Sequence, residues 1–394
     1  MPLKDGTHSA PGTGRLFELA GVFLKLGAAA FGGPAAHVAM MEDEVVRRRG
    51  WLAREEFLDL LGATNLIPGP NSTEMAIHIG RRRAGWAGLL LAGACFILPA
   101  ALIVTAMAWV YVRFGGLPRA EGVLNGVKPV IIAVVGQALW RLGRSAAKTR
   151  FLAIAGVVAT ALYGFGVHEL VVLFGTGAVV ALVRCGPSPW RPGSGGRLCG
   201  VVPIVPMVFA CKAAPGGAAF GLWPLFLLFV KVGSVLFGSG YVLLAFLRAD
   251  LVERFHWLTE GQLLDAIAVG QVTPGPVLTT ATFVGYVLGG LPGAMIATAG
   301  IFLPAFIFVA ISGPLVPRIR SSPLAGSFLD GVNVASLALM AVVTWHLGRA
   351  ALVDGLSVGL AVVGAVLLLR YRVNSAWLVL GGAAVGWIVG LRGA

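Results

Sequence analysis

Two stretches of this chain repeat one another closely enough to decide its architecture before any single helix is drawn. Phe23, Lys25, Gly27, Phe31 and Gly32 recur at the same spacing as Phe229, Lys231, Gly233, Phe237 and Gly238, and Trp51, Leu52 and Asp59 recur as Trp257, Leu258 and Asp265. The triplet Pro68, Gly69, Pro70 returns as Pro274, Gly275, Pro276. One extra residue near Arg81, Arg82 and Arg83 shifts the register, after which Pro99, Gly126, Trp140, Gly143 and Arg144 match Pro304, Gly331, Trp345, Gly348 and Arg349. The expected division is a polar tail, 1–15, a first copy, 16–184, a linker, 185–221, and a second copy, 222–394. Residues 185–200 are rich in Pro, Gly, Ser and Arg, as linkers are. The apolar piece 201–210 is too short to span a bilayer, is broken by Pro203 and Pro206, and reads as interfacial.

Composition fixes the solvent. Hydrophobic residues make up 57% of the 394, charged ones 12%, and the mean hydropathy is +0.87, outside the range of soluble domains. Uncharged runs at 84–112 and 291–316 exceed the roughly 20 apolar residues that cross hydrocarbon. An all-α membrane protein follows, with the lipid bilayer as its surroundings. The N-terminal residues lack the apolar core and cleavage site of a removable signal peptide. A net charge of +13 falls in short groups between apolar runs, which is a topology signal and argues against nucleic acid as a partner. Cys95, Cys185, Cys199 and Cys211 show neither metal-ligand nor disulfide spacing, so no metal and no cofactor are expected.

If each Pro-Gly-Pro stretch enters and leaves on one side, each copy crosses five times and the second copy is inverted relative to the first. This assignment segregates the 30 lysines and arginines more sharply than six crossings per copy does, gathering Arg47, Arg48, Arg49, Arg81, Arg82 and Arg83 on one cytoplasmic side. The expectation is ten transmembrane helices, two broken or re-entrant Pro-Gly-Pro segments, and both termini outside. Inverted repeats around a midplane site are a common plan of secondary transporters.

Proline inside a membrane helix removes a backbone donor and forces a break, and two breaks at equivalent positions mark a candidate site. Pro70 and Pro276 fit the first position of a half-helix, leaving the amides of Asn71, Ser72 and Thr73, and of Val277, Leu278 and Thr279, at a positive dipole end that suits an anion. Thr280 adds a hydroxyl, and Asn65 and Gln271 add amide donors at equivalent positions. A plain kink repacked by neighbours is the alternative. Lys25 and Lys231 match within apolar segments and would neutralise an anion, or else snorkel to an interface. Asp59 with Asp265, and Glu74 with His78 four residues on, are candidates for proton coupling, against plain interfacial pairing. The Phe31, Gly32, Gly33, Pro34 break and its counterpart suggest close backbone packing or another wall of the site.

Phe31-Gly32-Gly33-Pro34, Trp51-Leu52, 65–73 (NLIPGPNST), 97–99 (ILP), 270–276 (GQVTPGP) and Leu303-Pro304 together resemble the chromate ion transporter family in its long two-domain form. The resemblance implies export of chromate from the cytoplasm across the inner membrane, giving resistance, by a pump or antiporter. No Walker-type nucleotide loop occurs in the sequence. The family pattern has glutamine three residues before the first triplet and again after the Ser-Thr pair, where this chain has Asn65 and Glu74. Sulfate or molybdate, sharing chromate's shape and charge, is the nearest alternative cargo, and a second copy of the chain is a candidate partner. An enzyme is not expected, because neither His-Glu-x-x-His nor Gly-x-Ser-x-Gly is present. A scaffold without transport would leave the paired breaks unexplained.

Overall fold

The computed structural model describes residues 13–30, 34–115, 118–185, 220–237, 240–320, 322–371 and 373–393. The tail up to residue 12, linker residues 186–219 with Cys199 and Cys211, and the glycine breaks at 31–33 and 238–239 lie outside the described residues.

Every described element is helical. The first copy runs α1 (Thr13–Ala29), α2 (Pro34–Met41) continuing as a π-helical stretch Glu42–Arg48, α3 (Arg54–Thr64), α4 (Asn71–Phe114), α5 (Pro118–Ala146), α6 (Arg150–Gly164) and α7 (Glu169–Cys185). The second runs α8 (Leu222–Val235), a short turn and α9 (Leu243–Leu247) continuing as Arg248–Arg254, α10 (Glu260–Val272), α11 (Thr280–Arg320) after a 3₁₀ turn Val277–Thr279, α12 (Pro323–Ala351), α13 (Gly355–Arg370) and α14 (Ser375–Gly393).

Helix α4 is not one rod. Ala84 (φ −144°, ψ 27°) and Gly85 (φ 60°, ψ −143°) leave helical geometry, and a Cβ on Gly80 would collide with the carbonyl of Gly88. Residues eight apart on a straight helix are roughly 12 Å apart, so the limb 71–83 folds back on the limb 86–114. Gly289 (φ −139°, ψ 20°) and Gly290 (φ 60°, ψ −153°) fold α11 in the same way. Only glycine takes the positive φ at the second position of each turn without strain.

The first half of each copy is therefore built of hairpins. Glu18, near the start of α1, receives Arg49 at 2.7 Å and Arg83 at 3.3 Å, and both guanidinium groups lie over Trp51, at 5.4 and 5.0 Å. The start of α1, the end of Glu42–Arg48 and the end of limb 71–83 thus share one end of the molecule. The start of α1 was expected opposite the arginine loops, whereas Glu18 lies beside Arg49 and Arg83.

Among the described residues, four helical stretches are long and apolar enough to cross a membrane: Asn71–Phe114 and Val277–Ser312, each containing its fold-back, and Glu121–Ala146 and Pro323–Ala351. Shorter apolar helices, Arg150–Gly164, Leu222–Val235, Gly355–Arg370 and Ser375–Gly390, surround them. Helices such as α8, with 14 residues, reach only about 21 Å at 1.5 Å per residue. Across the two copies, α5 packs on α14 through glycines: Gly122 and Gly126 face Gly386 and Gly382, which makes these helices antiparallel. Small residues let membrane helices approach closely.

Candidate functional site

The hairpin tips meet where helix ends expose backbone. A helix leaves its last carbonyls without partners, and inside a bilayer each must find a protein donor. The N–H of Gly69 donates to the carbonyl of Leu236, the cap of α8, at 2.8 Å, and the N–H of Gly275 donates to the carbonyl of Ala30, just past α1, at 3.0 Å. The two bonds are equivalent under the repeat. Each Pro-Gly-Pro triplet therefore closes the first helix of the other copy. Both glycines hold positive φ, 145° at Gly69 and 92° at Gly275. His37 Nε2 also lies 3.0 Å from the Ala30 carbonyl.

Pro70 (φ −81°, ψ 103°) is the cap of the first half-helix and not its first turn, a shift of one residue from the expected start. The first intrahelical bond, Glu74 N–H to Pro70 O at 3.0 Å, leaves the amides of Asn71, Ser72 and Thr73 at the open helix end. The second copy differs. There the turn tightens to 3₁₀ geometry, so the Thr279 amide is spent on Pro276 O at 3.0 Å. The Thr279 and Thr280 hydroxyls donate to Pro276 and Val277 carbonyls, each at 2.8 Å. Thr73, by contrast, is buried with its hydroxyl unpartnered among the described residues.

A cavity of about 400 Å³ opens beside the first triplet. Asn65, Ile67, Asn71, Leu142 and Ser145 line it from the first copy, and Phe237, Val242, Asn333, Ser336 and Leu337 from the second, with Lys148 and Asp330 also on its wall. Asn71 Nδ2 donates to Asn65 Oδ1 at 2.7 Å, and Asn65 Nδ2 to the Leu61 carbonyl at 3.0 Å. Pro68, Gly69 and Pro70 lie directly between these two asparagines in the chain. Gln271, the counterpart of Asn65, sits half-buried in the last turn of α10.

The charged candidates part ways. Lys25 is exposed and has no ion pair among the described residues. Lys231 is enclosed, with Nζ 2.8 Å from Asp250 and 3.2 Å from Glu169, so its charge is met by protein carboxylates. Asp59 is exposed, whereas its counterpart Asp265 is buried and takes the Tyr111 hydroxyl at 3.0 Å and Lys128 at 3.5 Å. Glu74 is fully buried, with both oxygens unpartnered among the described residues, and its carboxylate lies against Gly69. His78, one turn on, is buried with Nε2 unpartnered among the described residues.

His37, Lys148, Arg184, Asp330, Asn333 and Ser336 were not singled out from the sequence. Their repeat counterparts include Leu243, Val353, Asn125, Lys128 and Ile131, so a search for identical residues in the two copies passes over them.

The comparisons agree with a chain of two copies. The family model described as "Chromate transporter" matches residues 17–182 and 223–387. The chain is 33% identical over 389 residues to the "Chromate transport protein" of Cupriavidus metallidurans, covering 96% of this chain and 94% of that one. It is 34% identical over 343 residues to the "Probable chromate transport protein" of Synechococcus elongatus, covering 86% of each. The "Chromate transport protein" of Pseudomonas aeruginosa is 32% identical over 380 residues, 93% of this chain and 91% of that protein. No solved structure matches the chain.

Proposed function

The chain belongs to the chromate transporter family, and from that premise we propose that it exports chromate across the inner membrane by alternating access around the paired Pro-Gly-Pro tips. The observation that carries the proposal is the reciprocal pair of bonds, Gly69 to Leu236 and Gly275 to Ala30. A joint that ties each copy to the other at equivalent points is a pivot about which one copy can rock against the other.

In this reading the copies are inverted. Helices α5, α6 and α7 follow one another through short turns, so α5 and α7 run the same way. Helix α14, the counterpart of α7, runs antiparallel to α5. The arginines that gather with Glu18 mark the cytoplasmic end, since cytoplasmic loops carry the basic excess.

Chromate is a dianion, and hydrocarbon offers it no compensation. The amides of Asn71, Ser72 and Thr73, with the helix dipole behind them, supply donors without placing a free cation in the membrane. Asn65 adds a side-chain amide, and Glu74 with His78 are the coupling groups of this reading. Gln271, Thr279 and Thr280 form the weaker half of the cradle, because their turn has already used part of its donor capacity.

The test is chromate flux. Expression in chromate-sensitive cells should lower accumulated chromium, and inside-out vesicles should take up labelled chromate. Unchanged accumulation in cells with verified membrane levels would sink the export reading.

A further inference from the structure

We propose that the cavity holds an outer oxyanion position, with Ser336 and Asn333 of the second copy at its floor and Lys148 and Arg184, latched on Asp330, at its mouth. The inference rests on the transport reading and deepens it. Its ligand class is a tetrahedral dianion.

Burial orders these residues. Ser336 is 1% exposed and its hydroxyl is unpartnered among the described residues, yet it lines the cavity. A buried hydroxyl without a partner is costly, and a ligand acceptor in the cavity would relieve it. Asn333, one turn away on α12, adds an amide, with Asn65 and Asn71 lining the same space. About 400 Å³ is many times the ~30 Å³ share of one liquid water, so an oxyanion fits with part of its hydration.

At the mouth, Asp330 takes Lys148 at 3.2 Å and Arg184 at 2.9 Å. Two cations share one carboxylate, leaving the cluster positive. The lysine side chain is 64% exposed, and exposed pairs of this kind are weak. A dianion that offers an arginine two acceptors competes well against a single carboxylate charge. Asp330 then acts as a stand-in for the cargo. Lys148 and Arg184 belong to the first copy and Asp330 to the second, so displacing Asp330 also loosens a tie between the copies, which links occupancy to movement.

The test uses the full chain in lipid nanodiscs, with chromate and, separately, sulfate binding measured by equilibrium dialysis at low and high salt. Ser336→Ala should weaken binding roughly tenfold, the loss of one hydrogen bond to a charged group. Lys148→Gln should weaken it too, and mainly at low salt. Asp330→Asn should tighten binding, because the internal competitor is gone, and slow turnover in vesicles. A purely structural role for Asp330 predicts lower thermal stability with no gain in affinity. Binding that is unchanged in Ser336→Ala, or unchanged or weaker in a stably folded Asp330→Asn, overturns the proposal. A wild type that shows the expected variant pattern with sulfate yet moves no chromate would remove the chromate reading and leave the site standing.

Discussion

The amide of Gly69 is bonded to the carbonyl of Leu236 across the two copies, at 2.8 Å. Its counterpart joins Gly275 to Ala30 at 3.0 Å. Each bond satisfies a helix-end carbonyl that would otherwise face an apolar surround without a donor, at a cost of several kcal/mol. The copies are thus joined by backbone, at the place where the helices of both copies had to break.

Alanine at position 69 should be damaging. Gly69 holds φ 145°, and the added Cβ would collide with the Glu74 carboxylate. We expect Gly69→Ala to cost roughly 1–3 kcal/mol from backbone strain alone and to abolish transport, read by thermal melting in detergent and by vesicle uptake. A variant with wild-type melting and flux would mean that the tip relaxes freely.

Lys231→Ala and Lys25→Ala should behave oppositely despite their matching places in the repeat. Removing Lys231 leaves Asp250, 3% exposed, and Glu169, 7% exposed, without their shared cation; breaking a buried pair in this way costs roughly 3–5 kcal/mol. Lys25 is exposed, so its removal should change stability by about 0.5 kcal/mol or less. Equal melting temperatures for the two variants would contradict the enclosed environment of Lys231.

Thr73→Val and Thr279→Val separate the two half-cradles. The Thr279 hydroxyl already donates to Pro276 O, whereas that of Thr73 is unpartnered among the described residues. Chromate uptake should fall about tenfold in Thr73→Val, if one hydrogen bond to the anion is lost, and stay within about twofold in Thr279→Val. The reverse order would move recognition to the second copy.

Single cysteines at positions 48 and 82 should label from the same face of intact cells. Arg49 and Arg83 meet on Glu18, and the neighbouring Arg48 and Arg82 are exposed. Labelling from opposite faces would break the hairpin arrangement of the first copy.

The repeat, the bilayer setting and the paired breaks were legible in the sequence, because each is a local pattern: apolar runs set by hydrocarbon thickness, proline without a donor, and identical residues at one spacing. The same symmetry misled where the copies diverge. Lys25 and Lys231 match in the chain, yet only Lys231 meets two carboxylates, and those come from Asp250 on its own copy and Glu169 on the other. Thr73 and Thr279 match, yet a tightened turn uses up the second hydroxyl. The cavity residues Lys148, Asp330, Asn333 and Ser336 carried no signal, since their counterparts are of other kinds. The reversal at Ala84 and Gly85 falls where Arg81, Arg82 and Arg83 meet the uncharged run 84–112, the edge at which a re-entrant segment was expected to turn back. The sequence by itself determined which segments are apolar and where the backbone must break. Only the tertiary structure decided which way each broken piece turns and which donors remain unspent, because both depend on partners far along the chain, as with Gly69 and Leu236.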